Sequence, residues 1–278
     1  MSKIDLASPV VKWVGGKRQL LERLMPLFPE TYTSYCEPFI GGGAVLFALQ
    51  PQKAIINDIN SELIGVYRAI KDDVEALIKR LAQFENTKEC FYEVRGWDRN
   101  AELYNQLTDI DKAARVIFLN KTCYNGLYRV NSAGEFNTPF GRYKNPNIVN
   151  ESTLRAAHEY FNTADVTILN TSYSEVVQGL PENSFVYLDP PYDPISVTAS
   201  FTGYNAGGFS RQDQIALRDC CRQLDANGIK FMLSNSATEF IQDIYSEFNI
   251  TIVPAKRAIN SVGSKRGCVD EVVVRNYE

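Results

Sequence analysis

Seven short apolar runs, each closed by turn residues, recur along the 278-residue chain with helical periodicity between most of them. They lie at 34–39, 54–58, 166–170, 185–189, 229–234, 250–254 and 271–275. Apolar runs of strand length suit strands covered on both faces, and helices between successive strands are the crossovers that a parallel sheet requires. The helical period is clearest over 18–24, 62–70, 74–84, 112–121, 212–224 and 239–248. The segment joining the last two runs, 255–269, is too short and too polar for a crossover helix, which predicts an antiparallel pair at that edge. The pattern specifies an α/β fold of Rossmann-like type.

Between residues 61 and 150 the alternation stops: helices are followed by a polar, aromatic stretch without a buried-strand signature. This reads as an insertion, so that 1–60 and 151–278 form one domain and 61–150 a second, mainly helical one. The start has no apolar core of signal-peptide length, and no run of about 18 apolar residues occurs. A cytoplasmic protein with no membrane partner is expected. Its six cysteines form no C-x-x-C pair and are expected to be reduced. His158, the only histidine, excludes zinc sites built on several imidazoles and leaves Ser-His chemistry a single candidate in an amphipathic stretch. No metal is expected.

The net charge of −4 and pI near 5.3 do not suggest nucleic acid. Phosphate binding needs only a local basic face, however. From 112 to 150, Lys112, Arg115, Lys121, Arg129, Arg142 and Lys144 stand against the single acid Glu135, and Lys256, Arg257, Lys265 and Arg266 form a second cluster.

Three motifs carry chemistry. Glu37-Pro38-Phe39-Ile40-Gly41-Gly42-Gly43 follows a predicted strand and precedes an apolar helix. Its glycines permit a sharp turn and close approach of a ligand to the main chain, without matching G-x-G-x-x-G or the phosphate loop. Asn57-Asp58-Ile59-Asn60 then puts a carboxylate at the second strand end, where such folds bind ribose hydroxyls. The pair favours a nucleoside-containing cofactor that need not have a pyrophosphate. In Asp189-Pro190-Pro191-Tyr192, two prolines cannot continue a central strand and lock the carbonyls beside the acid. One carboxylate and one fixed carbonyl match the two hydrogens of a ring amino group, and Tyr192 offers a stacking face.

Taken with Lys12-Trp13-Val14-Gly15-Gly16-Lys17, Tyr124-Asn125-Gly126-Leu127-Tyr128-Arg129 and Glu135-Phe136-Asn137-Thr138-Pro139-Phe140-Gly141-Arg142-Tyr143, these motifs resemble, in order and over nearly the whole chain, the Dam-type DNA adenine methylases and the related GATC methylases of restriction systems. The resemblance implies a seven-stranded methyltransferase sheet, mostly parallel, with an inserted DNA-recognition domain. It implies S-adenosylmethionine as cofactor and transfer of its methyl group to adenine N6 in double-stranded DNA. The matching Trp13, Lys17, Glu37, Pro38, Phe39, Gly41, Gly43, Asp58, Ile59 and Asp189 are then expected around the cofactor, with Ser172 and Tyr173 added by position after the third strand. Asp189, Pro190, Pro191 and Tyr192 are the expected catalytic group.

In that reading N6 is unreachable inside a duplex, so the adenine flips out, Tyr192 stacks on it and Tyr124 fills the gap. Arg129 is expected on guanine O6 and N7. The resemblance adds Lys12, Asn125, Leu127, Pro139 and Tyr143 as neighbours of the target bases. Residues 134–142 read as a hairpin entering the groove. Lys121, Arg142, Lys144, Lys256, Lys265 and Arg266 are expected on phosphates. A monomer in solution is expected, with room for more than one copy on DNA. Transfer to RNA or to cytosine N4, an inactive nucleic-acid-binding methyltransferase fold, and a nicotinamide dehydrogenase are the competing readings. The first lacks a need for 124–143, the second for both acids, and the third is opposed by the absent dinucleotide motif.

Overall fold

The computed structural model describes residues 4–195, 208–256 and 268–278. In chain order the helices are α1 (Leu21–Leu24), α2 (Ala44–Leu49), α3 (Ser61–Asp72), α4 (Val74–Leu81), α5 (Lys88–Gly96), α6 (Ala101–Gln106), α7 (Asp109–Thr122), α8 (Glu151–Thr163), α9 (Tyr173–Val176), α10 (Arg211–Ala226) and α11 (Glu239–Ile244). The strands are β1 (Tyr35–Glu37), β2 (Lys53–Asn57), β3 (Asp165–Leu169), β4 (Phe185–Leu188), β5 (Lys230–Ser236), β6 (Asn249–Lys256) and β7 (Cys268–Arg275). They form one seven-stranded sheet in the order β3-β2-β1-β4-β5-β7-β6. Neighbours from β3 to β5 are parallel, and β7 runs antiparallel to both β5 and β6. All seven expected strands are present, and the antiparallel edge is where the short 255–269 connection required it.

Both faces of the sheet are covered, which explains the strand composition. In β4, Phe185 and Tyr187 join one core while Val186 and Leu188 join the other; Val273 is divided in the same way from Val272 and Val274 in β7. The side-chain period of two sends neighbours to opposite faces, so a strand between two helical layers must be apolar throughout. The smaller core lies under α9, α10 and α11. The larger continues without a break from the sheet into α3, α4, α5, α7 and α8. Within α7, residues 113–120 are all buried, so this helix is the centre of the helical layer. Thr108 and Asp111 close its first turn as a capping box.

Two expectations are corrected. The helix at 18–24 is broken into a tight turn (Lys17–Gln19) and α1. The helix at 239–248 stops at Ile244, and turns closed by the Ser246 N–H on the Asp243 carbonyl and the Phe248 N–H on the Tyr245 carbonyl lead into β6. Helices α5 and α6 occupy a region whose mixed polar and aromatic composition gave no clear period. No described helix is long and apolar enough to cross a membrane.

Candidate active site

The order of strand addition reverses between the parallel β1 and β4: from β1 the sheet grows through β2 and β3, and from β4 through β5. The loops leaving such a pair diverge and open a crevice at the strand carboxyl ends. Glu37 ends β1 and Asp189 follows β4, so both acids flank that crevice. A cavity there is lined by residues 14–17, Glu37, residues 40–45 and Asp189. Its floor needs glycine. At Gly43 (φ 74°) an added Cβ would stand 2.8 Å from Tyr67 Oη, and at Gly41 (φ 49°) 3.2 Å from Trp13 Cδ1. Tyr67, from α3, also donates to the Gly41 carbonyl at 2.8 Å, which ties the turn to the helical layer.

Lys17 is 3% exposed, and its Nζ lies 2.7 Å from both the Gly15 carbonyl and Asp189 Oδ1. The second contact is an ion pair that joins the N-terminal motif to the acid after β4. Asp189 keeps 18% exposure, enough to face a ligand. Burial pushes its carboxyl up to about 6, against the pull of the Lys17 ammonium, and the nearby Glu271 carboxylate adds to the rise. Tyr192 presents its ring 4.7 Å from Lys17 Nζ and donates through Oη to Glu271 Oε2 at 2.8 Å. Burial, with Asp189 and Glu271 nearby, holds the Tyr192 phenol well above its usual range. Burial likewise raises Glu37, which accepts from Tyr35 Oη at 2.7 Å.

The segment after β4 is pinned by side chains that the sequence reading did not single out. Gln214, fully buried in α10, donates to the Pro191 carbonyl at 2.8 Å and accepts from Asn235 Nδ2 at 3.0 Å. Asn235 Oδ1 accepts the Asp193 N–H at 3.0 Å, and Ser236 Oγ donates to the Asp193 carbonyl at 2.6 Å. Gln214 thus engages the Pro191 carbonyl and not that of Pro190. A fully satisfied buried network of this kind specifies one backbone position. Its signal was available: Ser234-Asn235-Ser236 is a polar triplet at the end of an apolar strand.

Asp58 follows β2 at the same end of the sheet. It does not line the cavity but reaches it through Gly41, whose N–H bonds Oδ2 at 3.1 Å, while Oδ1 takes the Asn60 N–H at 2.9 Å. Burial raises its carboxyl against these backbone donors. Ile59 beside it is 58% exposed. Asn57 accepts the Thr171 N–H and donates to the carbonyls of Pro38 and Thr171, locking the loops after β1 and β3 together. This brings Phe39 against Tyr173, with ring centroids 5.2 Å apart. The Ser172 hydroxyl is engaged as the cap of α9.

The residues expected on DNA gather on one exposed strip. Tyr124 is 56% exposed at the head of a tight turn in which Asn125 and Gly126 have positive φ. Its N–H bonds the Pro139 carbonyl at 2.8 Å. The hairpin differs from the expected one: Val130 pairs with Phe136 around a turn at residues 131–134, so residues 134–142 are only its return arm. Asn131 explains the difference, since its side chain accepts from Ala133 and Glu135 and closes the turn early. Arg129 stands exposed on the outgoing arm, its Nε donating to Asn137 Oδ1 at 2.8 Å. Leu127 is tied to Thr138, and exposed Tyr143 to Asn86 through its carbonyl. Lys12, from the N-terminal motif, joins the strip beside Gly126, where an added Cβ would meet Lys12 Cδ at 2.7 Å.

The root of the hairpin is clasped by charge. Asp98 accepts the Phe136 N–H at 2.7 Å and pairs with Arg115 Nη2 at 2.5 Å, while Arg95 and Arg99 donate to the Phe136 carbonyl. Arg115, one of the supposed basic-patch residues, is therefore 2% exposed and internal. Arg257, Lys265 and Arg266 lie outside the described residues.

Residues 13–259 match the family described as D12 class N6 adenine-specific DNA methyltransferase. The chain is 45% identical over 278 residues to the Type II methyltransferase M1.LlaDCHI of Lactococcus lactis subsp. cremoris, covering 99% of this chain and 97% of that one. It is 42% identical to the Type II methyltransferase M.MjaIII of Methanocaldococcus jannaschii, covering 97% and 99%. With the DNA adenine methylase of Salmonella typhi it shares 34% identity, over 95% of this chain and 93% of the other.

Proposed function

The chain belongs to the D12 class of N6 adenine-specific DNA methyltransferases, and from that premise we propose that it methylates the adenine of GATC in double-stranded DNA after flipping that base into the crevice between β1 and β4. One observation carries the reading. Asp189, directly followed by two prolines, lines a single cavity with the glycine floor at the switch point.

S-adenosylmethionine is the methyl donor of this family, and when bound it supplies an electrophilic methyl group on a sulfonium. The residues present suit it. The cavity runs along the main chain of residues 40–43, buried Glu37 offers a carboxylate for an ammonium, and Phe39 with Tyr173 supplies aromatic faces. Trp13, Lys17, Pro38, Asp58, Ile59 and Ser172 complete the proposed holding group.

One oxygen of Asp189 faces Lys17, and the other is left for an amino hydrogen. The Pro190 carbonyl takes the second hydrogen. Held by both, N6 pyramidalises and its lone pair becomes available, which an exocyclic nitrogen conjugated with a purine otherwise withholds. Asp189, with its carboxyl near 6, also attracts the proton that N6 must shed as its new bond forms. Fixed acceptors aimed at developing charge lower the barrier without reorganisation.

Tyr192 stacks on the extruded base, its tilt set by Glu271. Tyr124 enters the vacated stack, and Arg129, steadied by Asn137, reads guanine. Lys12, Asn125, Leu127, Pro139 and Tyr143 border the bases, while Lys121, Arg142 and Lys144 contact phosphate. The recognition part comprises residues 61–150.

The test is methyl transfer to duplexes carrying GATC or a scrambled site, and, on a separate GATC duplex with 2-aminopurine in place of the target adenine, fluorescence on binding. Transfer confined to GATC, with fluorescence rising on binding, is the expected result. Equal transfer to both duplexes removes the specificity, and unchanged fluorescence removes the flipping.

A further inference from the structure

Asn120, in the last turn of α7, is 1% exposed and belongs to neither the cavity lining nor the exposed strip. Its amide nevertheless joins the segment that leads into the cavity to the turn at the head of the strip. Oδ1 accepts the Lys12 N–H at 2.8 Å; Nδ2 donates to the Lys12 carbonyl at 2.8 Å and to the Gly126 carbonyl at 3.1 Å. One side chain therefore fixes the backbone of the N-terminal motif against the turn that carries Tyr124. A second contact runs parallel to it: Trp13 stacks on Tyr128 with ring centroids 4.7 Å apart and planes at 27°. Trp13 is also the side chain that an added Cβ on Gly41 would strike.

We propose that Asn120 is a positioning residue that couples the cofactor cradle to the DNA-reading turn, so that engaging either ligand strengthens the hold on the other. The proposal rests on the assignment of Trp13 to cofactor and of residues 124–129 to DNA. Its physical basis is the bidentate match of one carboxamide to both polar groups of Lys12. When Tyr124 moves into a base stack, its turn cannot shift without drawing on Lys12, and Lys12 cannot shift without tilting Trp13. No apolar side chain at 120 transmits that displacement, because none bonds both segments. Packed side chains and hydrogen bonds in unbroken contact are the carriers of such coupling, and its strength is the same read from either ligand.

The fold contains a matched control. Asn276 accepts the Phe231 N–H at 2.8 Å and donates to Asp225 Oδ1 at 2.9 Å and the Ile229 carbonyl at 3.0 Å. It staples the amino-terminal end of β5, the opposite pole of the sheet, and touches neither the cavity nor the strip.

The experiment titrates the full chain calorimetrically with sinefungin, alone and saturated with a duplex that the wild-type chain methylates, and takes the ratio of the two dissociation constants. The wild type is expected to bind sinefungin at least about fivefold more tightly with duplex present, whereas in Asn120→Ala the ratio falls to within about twofold of one. Asn276→Ala keeps the wild-type ratio even if its Tm drops as far. Should Asn120→Ala fail to fold, Asn120→Asp retains the acceptor for the Lys12 N–H, loses both donated bonds, and is expected to lower the ratio. A wild-type ratio of one, or an Asn120 variant with the wild-type ratio, overturns the coupling. A wild-type chain that binds neither sinefungin nor any duplex overturns instead the assignment on which it rests.

Discussion

The carboxylate after β4 and the guanidinium on the hairpin arm are held by opposite means. Asp189 leaves a strand buried on both faces, its following residues are prolines, and a buried amide network fixes the carbonyls around it. Arg129 stands in solvent on a loop, and the order of its arm comes from below, where Asp98, itself held by Arg115, grips Phe136 with Arg95 and Arg99. Neutral hydrogen bonds inside a packed core hold atoms to tenths of an ångström, as a reacting centre needs. A surface that must meet many backbone phosphates needs reach instead, with one firm root.

The comparison breaks most visibly at the acid. Asp189→Ala should lower kcat by roughly a hundred- to thousand-fold or more while duplex binding persists, since it removes the acceptor for the reacting nitrogen, together with the partner of buried Lys17, and leaves the exposed strip intact; a gel-shift assay beside a methyl-transfer assay separates the two. At the root, Asp98→Ala leaves the buried Arg115 guanidinium with the Val94 and Arg95 carbonyls and, among the described acids, only Glu62, at 3.6 Å. A loss of about 3–5 kcal/mol of stability follows from breaking a buried pair, to be measured by denaturant unfolding, and a loss within error would show that the root is not held by charge. On the arm, Arg129→Ala should relax discrimination at one guanine by about 1–3 kcal/mol, measured as kcat/KM on duplexes changed at that base.

Acidity sharpens the contrast further. Protonation of Asp189 removes an acceptor, so kcat/KM should be full above the carboxyl's value of about 6 and fall as pH drops through it. The slope approaches tenfold per unit below that point, and a profile flat between pH 5 and 8 would contradict the assignment. Binding of duplex alone, which does not use that carboxylate, should lack this limb. The smallest change belongs to Lys144→Ala, which should weaken all sequences alike and reduce the salt slope by about one.

Much of this architecture was legible because burial on two faces leaves a plain record. The apolar runs that became β1 to β7 had no other use, and the glycine and proline motifs carry their backbone constraints in their own identity. The pairings were not legible. Nothing local ties Lys17 to Asp189, Asn57 to Thr171 or Asn120 to Lys12, because long-range polar contacts depend on where strands are laid side by side. The hairpin was misplaced for a local reason: residues 134–142 are rich in turn formers, yet the Asn131 side chain closes the chain on itself earlier. Arg115 was counted as surface charge because a sequence records that a residue is basic and not that an acid waits beneath it.

The strand that fills the gap between β5 and β6 comes last of the seven, and it brings Glu271 to Tyr192. A nascent chain halted before residue 271 would already contain every motif from Trp13 to Tyr192, yet lack the partner that fixes the ring and the strand that closes β5. Domains made on the ribosome fold as their sequence emerges. Until β7 is laid down, Tyr192 lacks the carboxylate that holds its ring and β5 lacks its antiparallel neighbour.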